Sequence, residues 1–288
     1  MFEGMNESDT GMPLWHSELA LERRRADVDI KGVEYKRESS CGFLWERITV
    51  TSDEGARSIG RPCGRYDTLT LPRMDTLDLE EVDDAANEIA KELCRIADGC
   101  GICPDRLLIV GLGNAALTPD SIGPRVTDLI HATMHLKDFD PGMFETLDCS
   151  EIATLSPGVM ARTGMETSDV CIGICDRIRP DAVIAVDALA SGSSVRLGTT
   201  IQISDTGILP GGGVGNKRLP LNERVLGVPV IAIGVPTVID ARVFSHGEGA
   251  SIEKSASAMF VSPREIDGIA DAAARIIAGG INQAFGVV

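Results

Sequence analysis

Three continuous apolar runs punctuate the chain: RLLIVGLG at 106–113, AVIAVD at 182–187 and VPVIAIGV at 228–235. Runs of this kind, without polar alternation, predict strands buried on both faces of a parallel sheet. Around them the apolar positions recur with a helical period. Asp78 to Ala97 places Leu79, Val82, Ala86, Ile89, Ala90 and Leu93 on one face, with acids gathered near its start. Thr118 is placed to cap a helix with Pro119 at its first position, running through Ile122, Val126, Leu129 and Ile130 to Thr133. Thr163-Gly-Met-Glu166 reads as a capping box for a helix that ends before Pro180, and Pro263 to about Ala284 carries Ile266, Ile269, Ala273, Ile276 and Ile277 on one face. Strands alternating with helices predict an α/β fold, a mostly parallel sheet covered by helices on both faces. Ahead of this α/β core (76–288), residues 27–75 hold shorter β-like pieces such as ITVTS (48–52) and YDTLTLP (66–72), which predict a β-rich N-terminal part. Residues 1 to about 26 show no sustained period and predict a mobile leader.

Composition narrows the classes of function. A chain of 288 residues can bury a large core, and with 43% hydrophobic but only 4% aromatic residues that core is built of Ile, Val, Leu and Ala. The 43 acidic and 27 basic side chains leave a formal charge of −16, which repels nucleic-acid phosphates and anionic membrane surfaces. Direct binding to either is therefore not expected. No stretch approaches the roughly 20 apolar residues of a membrane span, and the N-terminus lacks a secretory pattern, so a cytoplasm-like compartment is expected. The eight cysteines are dispersed through the chain and read as reduced thiols.

The most informative segment is GLGNAALTPDSIGP at 111–124, a glycine-rich turn that leaves a buried strand and delivers Asp120 to the start of the next helix. Ligands of open α/β sheets bind at the carboxyl ends of the strands. Asp187 ends the strand AVIAVD, so a parallel sheet brings both carboxylates to one edge. Two close carboxylates do not both ionise easily; one keeps a proton as an acid while the other polarises water. That suits hydrolysis of an amide without a cofactor. The residues alone leave open the plainer reading, in which Asp120 favours a helix N-terminus and Asp187 a turn.

Other motifs carry less. Gly111, Gly113 and Ala116 match a dinucleotide fingerprint, but the helix starts too late and no acidic strand end follows at the required distance. In GILPGGGVGNKR (207–218), Asn216 separates Gly215 from Lys217, which excludes a phosphate-binding P-loop and leaves a surface loop or a substrate-gripping one. Asp205-Thr-Gly reads as a turn first and a site accessory second. His131 and His135 are four apart but lack the glutamate of a zinc motif, and Cys100-Gly-Ile-Cys103 has no second pair. No G-x-S-x-G nucleophile motif occurs.

Long ordered stretches nevertheless resemble the germination protease family of spore-forming bacteria. They are GLGNAALTPDSIGP, LSPGVMARTGMETSD (155–169), VIAVDALAS (183–191), TTIQISDTGILPGGGVGNKR (199–218), GVPVIAIGVPTVIDA (227–241) and MFVSPREID (259–267), with shorter matches back to EGARSIGRPCGRY (54–66). The resemblance implies an aspartic endopeptidase that degrades small acid-soluble spore proteins in the spore core during germination. It also implies a homotetramer made as a zymogen, with no metal or cofactor. The aspartates it points to are Asp120 and Asp187. His16-Ser-Glu-Leu-Ala-Leu-Glu22 matches the family's cleavage pattern, so self-processing is expected between Glu18 and Leu19, dividing a propeptide (1–18) from a single peptidase domain (19–288). An acid before the cut calls for a cationic pocket, with Lys217 and Arg218 as candidates; Asn114 and Asp205 are further candidates for holding substrate. Two departures stand out: the chain looks short for the family, and the segment between Ala241 and Ser257 is abbreviated. The strand-glycine-helix motif is also similar to hydrogenase maturation endopeptidases, whose acid at the place of Asp120 binds nickel. A metal-dependent processing peptidase is thus one alternative. A non-catalytic protein that binds spore proteins is the other.

Overall fold

The computed structural model describes residues 17–23, 30–211, 218–241, 243 and 259–286. Its strands are β1 (Val33–Ser40), β2 (Phe43–Val50), β3 (Gly64–Thr70), β4 (Arg106–Gly111), β5 (Glu151–Leu155), β6 (Ala182–Ser191), β7 (Thr200–Ser204), β8 (Val230–Asp240) and β9 (Phe260–Val261). The helices are α1 (Ala20–Arg23), α2 (Asp53–Ile59), α3 (Leu79–Gly99), α4 (Ile122–Leu129), α5 (Met134–Phe139), α6 (Pro141–Leu147), α7 (Met160–Thr163), α8 (Thr167–Ile178), α9 (Glu223–Leu226) and α10 (Ile266–Phe285).

The strands form one sheet in the order β1-β2-β3-β7-β8-β6-β4-β5, with β9 against β8. β8, β6, β4 and β5 are parallel, which is the α/β core expected from the apolar runs. The β-rich N-terminal part is an antiparallel meander that continues the same sheet, because β7 bridges β3 and β8 antiparallel to both. Alternation along β4 shows why its sequence has no polar positions. Leu107 and Ile109 enter the larger core with α3, α4 and α10, whereas Leu108 and Val110 enter a second core with Cys171 and Cys175 of α8. Helices therefore cover both faces.

Local chemistry sets the helix ends. Asp78 and Glu81 close a reciprocal capping box at the start of α3, at 2.9 and 3.0 Å. The helix expected to begin at Pro119 instead opens with a 3-10 turn over Thr118–Asp120; α4 starts at Ile122 and stops at Leu129, where Ile130 turns extended. The expected capping box at Thr163–Glu166 does not form. Thr163 ends α7, left-handed Gly164 (φ +74°) terminates it, and Glu166 precedes α8 without a side-chain cap. Of the expected mobile leader, residues 1–16 and 24–26 lie outside the described residues, and the part that is described is ordered against the body. Residues 17–23 dock on the body, with Leu19 and Ala20 fully buried and Ala20 packed among Ile48, Val50, Ile59 and Tyr66. All eight cysteines are free, and no described helix is long and apolar enough to cross a membrane.

Candidate active site

Parallel pairing of β4 with β6 sets Gly111 opposite Val186, and the Leu112 amide donates to the Val186 carbonyl at 2.8 Å. The glycine-rich loop therefore leaves the sheet beside Asp187. Its course depends on Gly113, at φ +110°, where a Cβ would stand 2.1 Å from the Asp120 carbonyl oxygen and 3.0 Å from its Oδ1. The loop folds back so that the Asn114 amide donates to the Asp120 carbonyl at 2.8 Å, and the 3-10 turn presents the Asp120 side chain. Gly111 and Gly123 have no room for a side chain between β4 and the start of α4, which brings that helix down onto the strand end. Three of the glycines in the motif are thus accounted for by packing and by the position they give Asp120.

A cavity of about 380 Å³ opens at this edge, lined by Asp120, Asp187, Gly113, Gly211, Arg218 and Glu18 among others. Asp187 is 4% exposed, and its Oδ1 accepts the Ala188 amide at 2.9 Å. Burial, then the nearby carboxylates of Glu18 and Asp120, hold its pKa well above the usual range, against the opposing pull of the Ala188 and Gly211 amides. Burial also raises Asp120, opposed by the Asn114 amide and the positive charge of Arg218. The two acids expected at one sheet edge are therefore in one cavity, both biased toward the protonated form. Asp187 is biased more strongly. Such a pair can hold one proton and one charge, which equips it for general acid and base work on a bound amide.

Glu18 is the third acid of the site and belongs to the docked leader. Its amide donates to the Ala190 carbonyl at 2.9 Å, and the Ala190 amide donates to its Oε2 at 2.8 Å. A second cavity of about 430 Å³ lies on the other side of Glu18, lined by Arg23, Arg61, Tyr66 and Gln202. There Arg23 Nε and Nη2 and Arg61 Nη2 all donate to the Ser17 carbonyl, at 3.2, 2.9 and 3.1 Å. Burial lowers the pKa of both arginines, Arg23 to about 10, while Glu18 pulls each back up.

The remaining candidates are dispersed. Arg218 lines the cavity and acts electrically on Asp120; Lys217 lies outside the described residues. Asn114 shapes the loop through its own amide and by accepting the Ala116 amide at 3.0 Å. Asp205 does not line the cavity: its Oδ1 accepts the Arg65 amide at 2.7 Å and ties the end of β7 to the start of β3. Among the described residues Arg23 and Arg61 act on Glu18; neither stands out in the sequence as a site residue, because Arg23 lies on no motif or periodic face and the stretch 54–66 that holds Arg61 carries no recognisable chemistry of its own. Among the described residues, no three His, Cys, Asp or Glu side chains are grouped to hold a metal ion.

Comparison with known proteins bears on this geometry. The sequence profile of the family described as germination protease matches residues 15–247. A germination protease of Caldanaerobacter subterraneus is 42% identical over 233 residues, covering 80% of this chain and 71% of that protein. One from Clostridium perfringens is 34% identical over 311 aligned positions, covering 93% and 94%. One from Priestia megaterium is 40% identical over 236 residues, but this chain spans only 63% of its length. Among solved structures, a NiFe hydrogenase maturation protease of Thermococcus kodakarensis aligns with a TM-score of 0.38 and 21% identity, over 66% of this chain and 99% of that one.

Proposed function

The chain belongs to the germination protease family and is a protease of spore germination; on that premise we propose that Asp120 and Asp187 are its hydrolytic pair and that it removes its own leader between Glu18 and Leu19. The reading is carried by one observation: Glu18, the residue before that bond, lines the same cavity as both aspartates. Asp187, more deeply buried and flanked by two carboxylates, holds the proton. Asp120, facing Arg218, carries the charge.

In this scheme Asp120 accepts a proton from water as the water oxygen bonds to the Glu18 carbonyl carbon. Asp187 gives its proton to the Leu19 nitrogen as the carbon–nitrogen bond breaks. The products are a carboxyl at Glu18 and an amine at Leu19. Residues 1–18 are then a propeptide and 19–288 the peptidase. We propose small acid-soluble spore proteins as the substrates cut in trans, in the spore core, by a homotetramer.

Mass spectrometry of the purified chain on incubation tests the scheme. A new N-terminus at Leu19, formed equally with or without a chelator and absent from Asp120→Asn and Asp187→Asn, is the expected result. Cleavage abolished by the chelator would transfer the reading to a metal-dependent processing peptidase. Neither self-cleavage nor digestion of a spore protein would leave a binding protein.

A further inference from the structure

The 3-10 turn that presents Asp120 is short of internal support, because Pro119 at its centre has no N–H to give. Towards the glycine loop it is held by the Asn114 amide on the Asp120 carbonyl and by the Asp120 amide on the Leu117 carbonyl, both at 2.8 Å. At its other end the Thr118 carbonyl accepts two donors from Ser121: the amide at a long 3.2 Å and the hydroxyl at 2.8 Å. Ser121 is 1% exposed and stands at the N-cap of α4. A serine there ordinarily turns its oxygen toward an amide in the first turn of the helix. This one makes no such cap. Its hydroxyl points back at Thr118 and, with its lone pairs, accepts Arg125 Nε at 3.0 Å. Arg125, four residues along α4, has Nη2 3.6 Å from Asp267 Oδ1 in the first turn of α10. The local rule for a helix start is thus broken in favour of the turn that carries Asp120.

We propose that Ser121 and Arg125 are positioning residues of the hydrolytic site: a strut running from Arg125 through the Ser121 hydroxyl to the Thr118 carbonyl fixes the turn so that the Asp120 carboxylate stands where it takes a proton from water. The proposal rests on the reading of Asp120 as the proton-accepting acid. Neither residue lines the cavity, so neither touches substrate, and the effect falls on the rate of the chemical step and not on binding. The two are unequal. Without the Ser121 hydroxyl, the Thr118 carbonyl keeps only the long bond to the Ser121 amide, and Arg125 Nε loses its acceptor. Without Arg125, the hydroxyl still reaches Thr118 but is free to rotate away. Arg125 therefore acts on Asp120 through Ser121, and Ser121 acts through the turn.

The rate constant of self-cleavage in the full chain, followed by mass spectrometry, tests the strut. Ser121→Ala is expected to slow it about tenfold and Arg125→Met about threefold, as displacements of well under 1 Å would. The double variant should be no slower than Ser121→Ala alone, because one residue acts through the other. A synthetic peptide of residues 14–26, cut in trans by the self-processed chain, separates rate from binding: Ser121→Ala should lower kcat about tenfold and leave KM unchanged. Self-cleavage at the full rate in Ser121→Ala, losses that multiply in the double variant, or a loss that appears in KM overturns the proposal. Asp120→Asn distinguishes this failure from failure of the reading beneath it. Full self-cleavage in that variant, or none in the unmodified chain, sinks the hydrolytic pair and the strut together. An inactive Asp120→Asn beside a fully active Ser121→Ala sinks the strut alone.

Discussion

Asp120 and Asp187 at the carboxyl edge of the sheet, and Asp67 of β3 with Glu92 of α3, are both pairs of carboxylates drawn away from water, but their neighbours differ. The second pair is the more deeply buried, at 1% and 3% exposed. It sits between two arginines: Arg95 Nη2 reaches Asp67 at 2.6 Å and Glu92 at 2.6 Å, and Arg47 Nη1 bonds Glu92. Arg47 also lies 3.8 Å from Asp67. Burial opposes ionisation of Glu92, yet hydrogen bonds from Arg95 and Asp67 and the charge of Arg47 hold its pKa below the usual value. Asp67 is raised, first by burial and then by Glu92. Glu92 thus keeps its charge while Asp67, pushed up to about 7, shares a proton with it, and the cluster joins β2 and β3 to α3. At the sheet edge the cation acting on Asp120 among the described residues is Arg218, and Asp187 faces two more acids. Depth of burial does not separate a structural acid pair from a chemical one here. The supply of cations does.

Four substitutions would break or sharpen that contrast. Asp187→Asn has the largest expected effect, a loss of about 10²- to 10⁴-fold in self-cleavage followed by mass spectrometry. It should also raise the thermal midpoint at pH 7.5. A carboxyl whose folded pKa lies above its unfolded value keeps a proton that the unfolded chain releases, so stability falls as pH rises through that window, and asparagine removes the loss. A midpoint that drops would show that burial does not strain this group.

Arg47→Met should cost about 3–5 kcal/mol in urea unfolding, because Glu92 and Asp67 lose a buried partner. Glu92 has a lowered folded pKa, so its contribution is present above the unfolded value and is lost as pH falls. The gap between wild type and variant should narrow in acid; a cost under 1 kcal/mol would make the cluster ornamental.

Gly113→Ala should leave the cluster untouched and lower peptidase activity by about a hundredfold through displacement of Asp120, since misplacement of about 1 Å costs that much. Full activity would remove the loop from the positioning of Asp120. Smallest is Arg218→Ala. Loss of its charge lets the Asp120 pKa rise, so the acid limb of kcat/KM should move to higher pH while the alkaline limb, set by Asp187, stays in place. Movement of the alkaline limb alone would reverse the two roles.

The parallel core was legible because β4, β6 and β8 bury both faces and so carry unbroken apolar runs, and Asp187 stands where one such run ends. The glycines of 111–123 marked a close approach, and the structure supplies the atoms they approach. What escaped was long-range pairing. β7 reads weakly because it is short, and nothing local in its sequence says that it pairs antiparallel with β8 and β3. Glu88 and Glu92 look like the solvent face of α3, yet Trp45 Nε1 donates to Glu88 at 3.1 Å and Arg47 meets Glu92, because the meander folds over that helix. The leader misled for a related reason: its polar, aperiodic composition is that of a tail, while its docking depends on Arg61 and Gln202, 44 and 182 residues away in sequence from their partners.

The docked Glu18 has a kinetic consequence. The segment reaches the cavity on the same chain that builds it, held by two hydrogen bonds to Ala190. A tethered segment meets its site at an effective concentration set by the tether, of order millimolar for a short link, whatever the amount of protein present. Under the self-processing proposed above, removal of the leader at this bond would be a first-order event whose half-time survives dilution, so that each molecule would count elapsed time, not the abundance of its own kind.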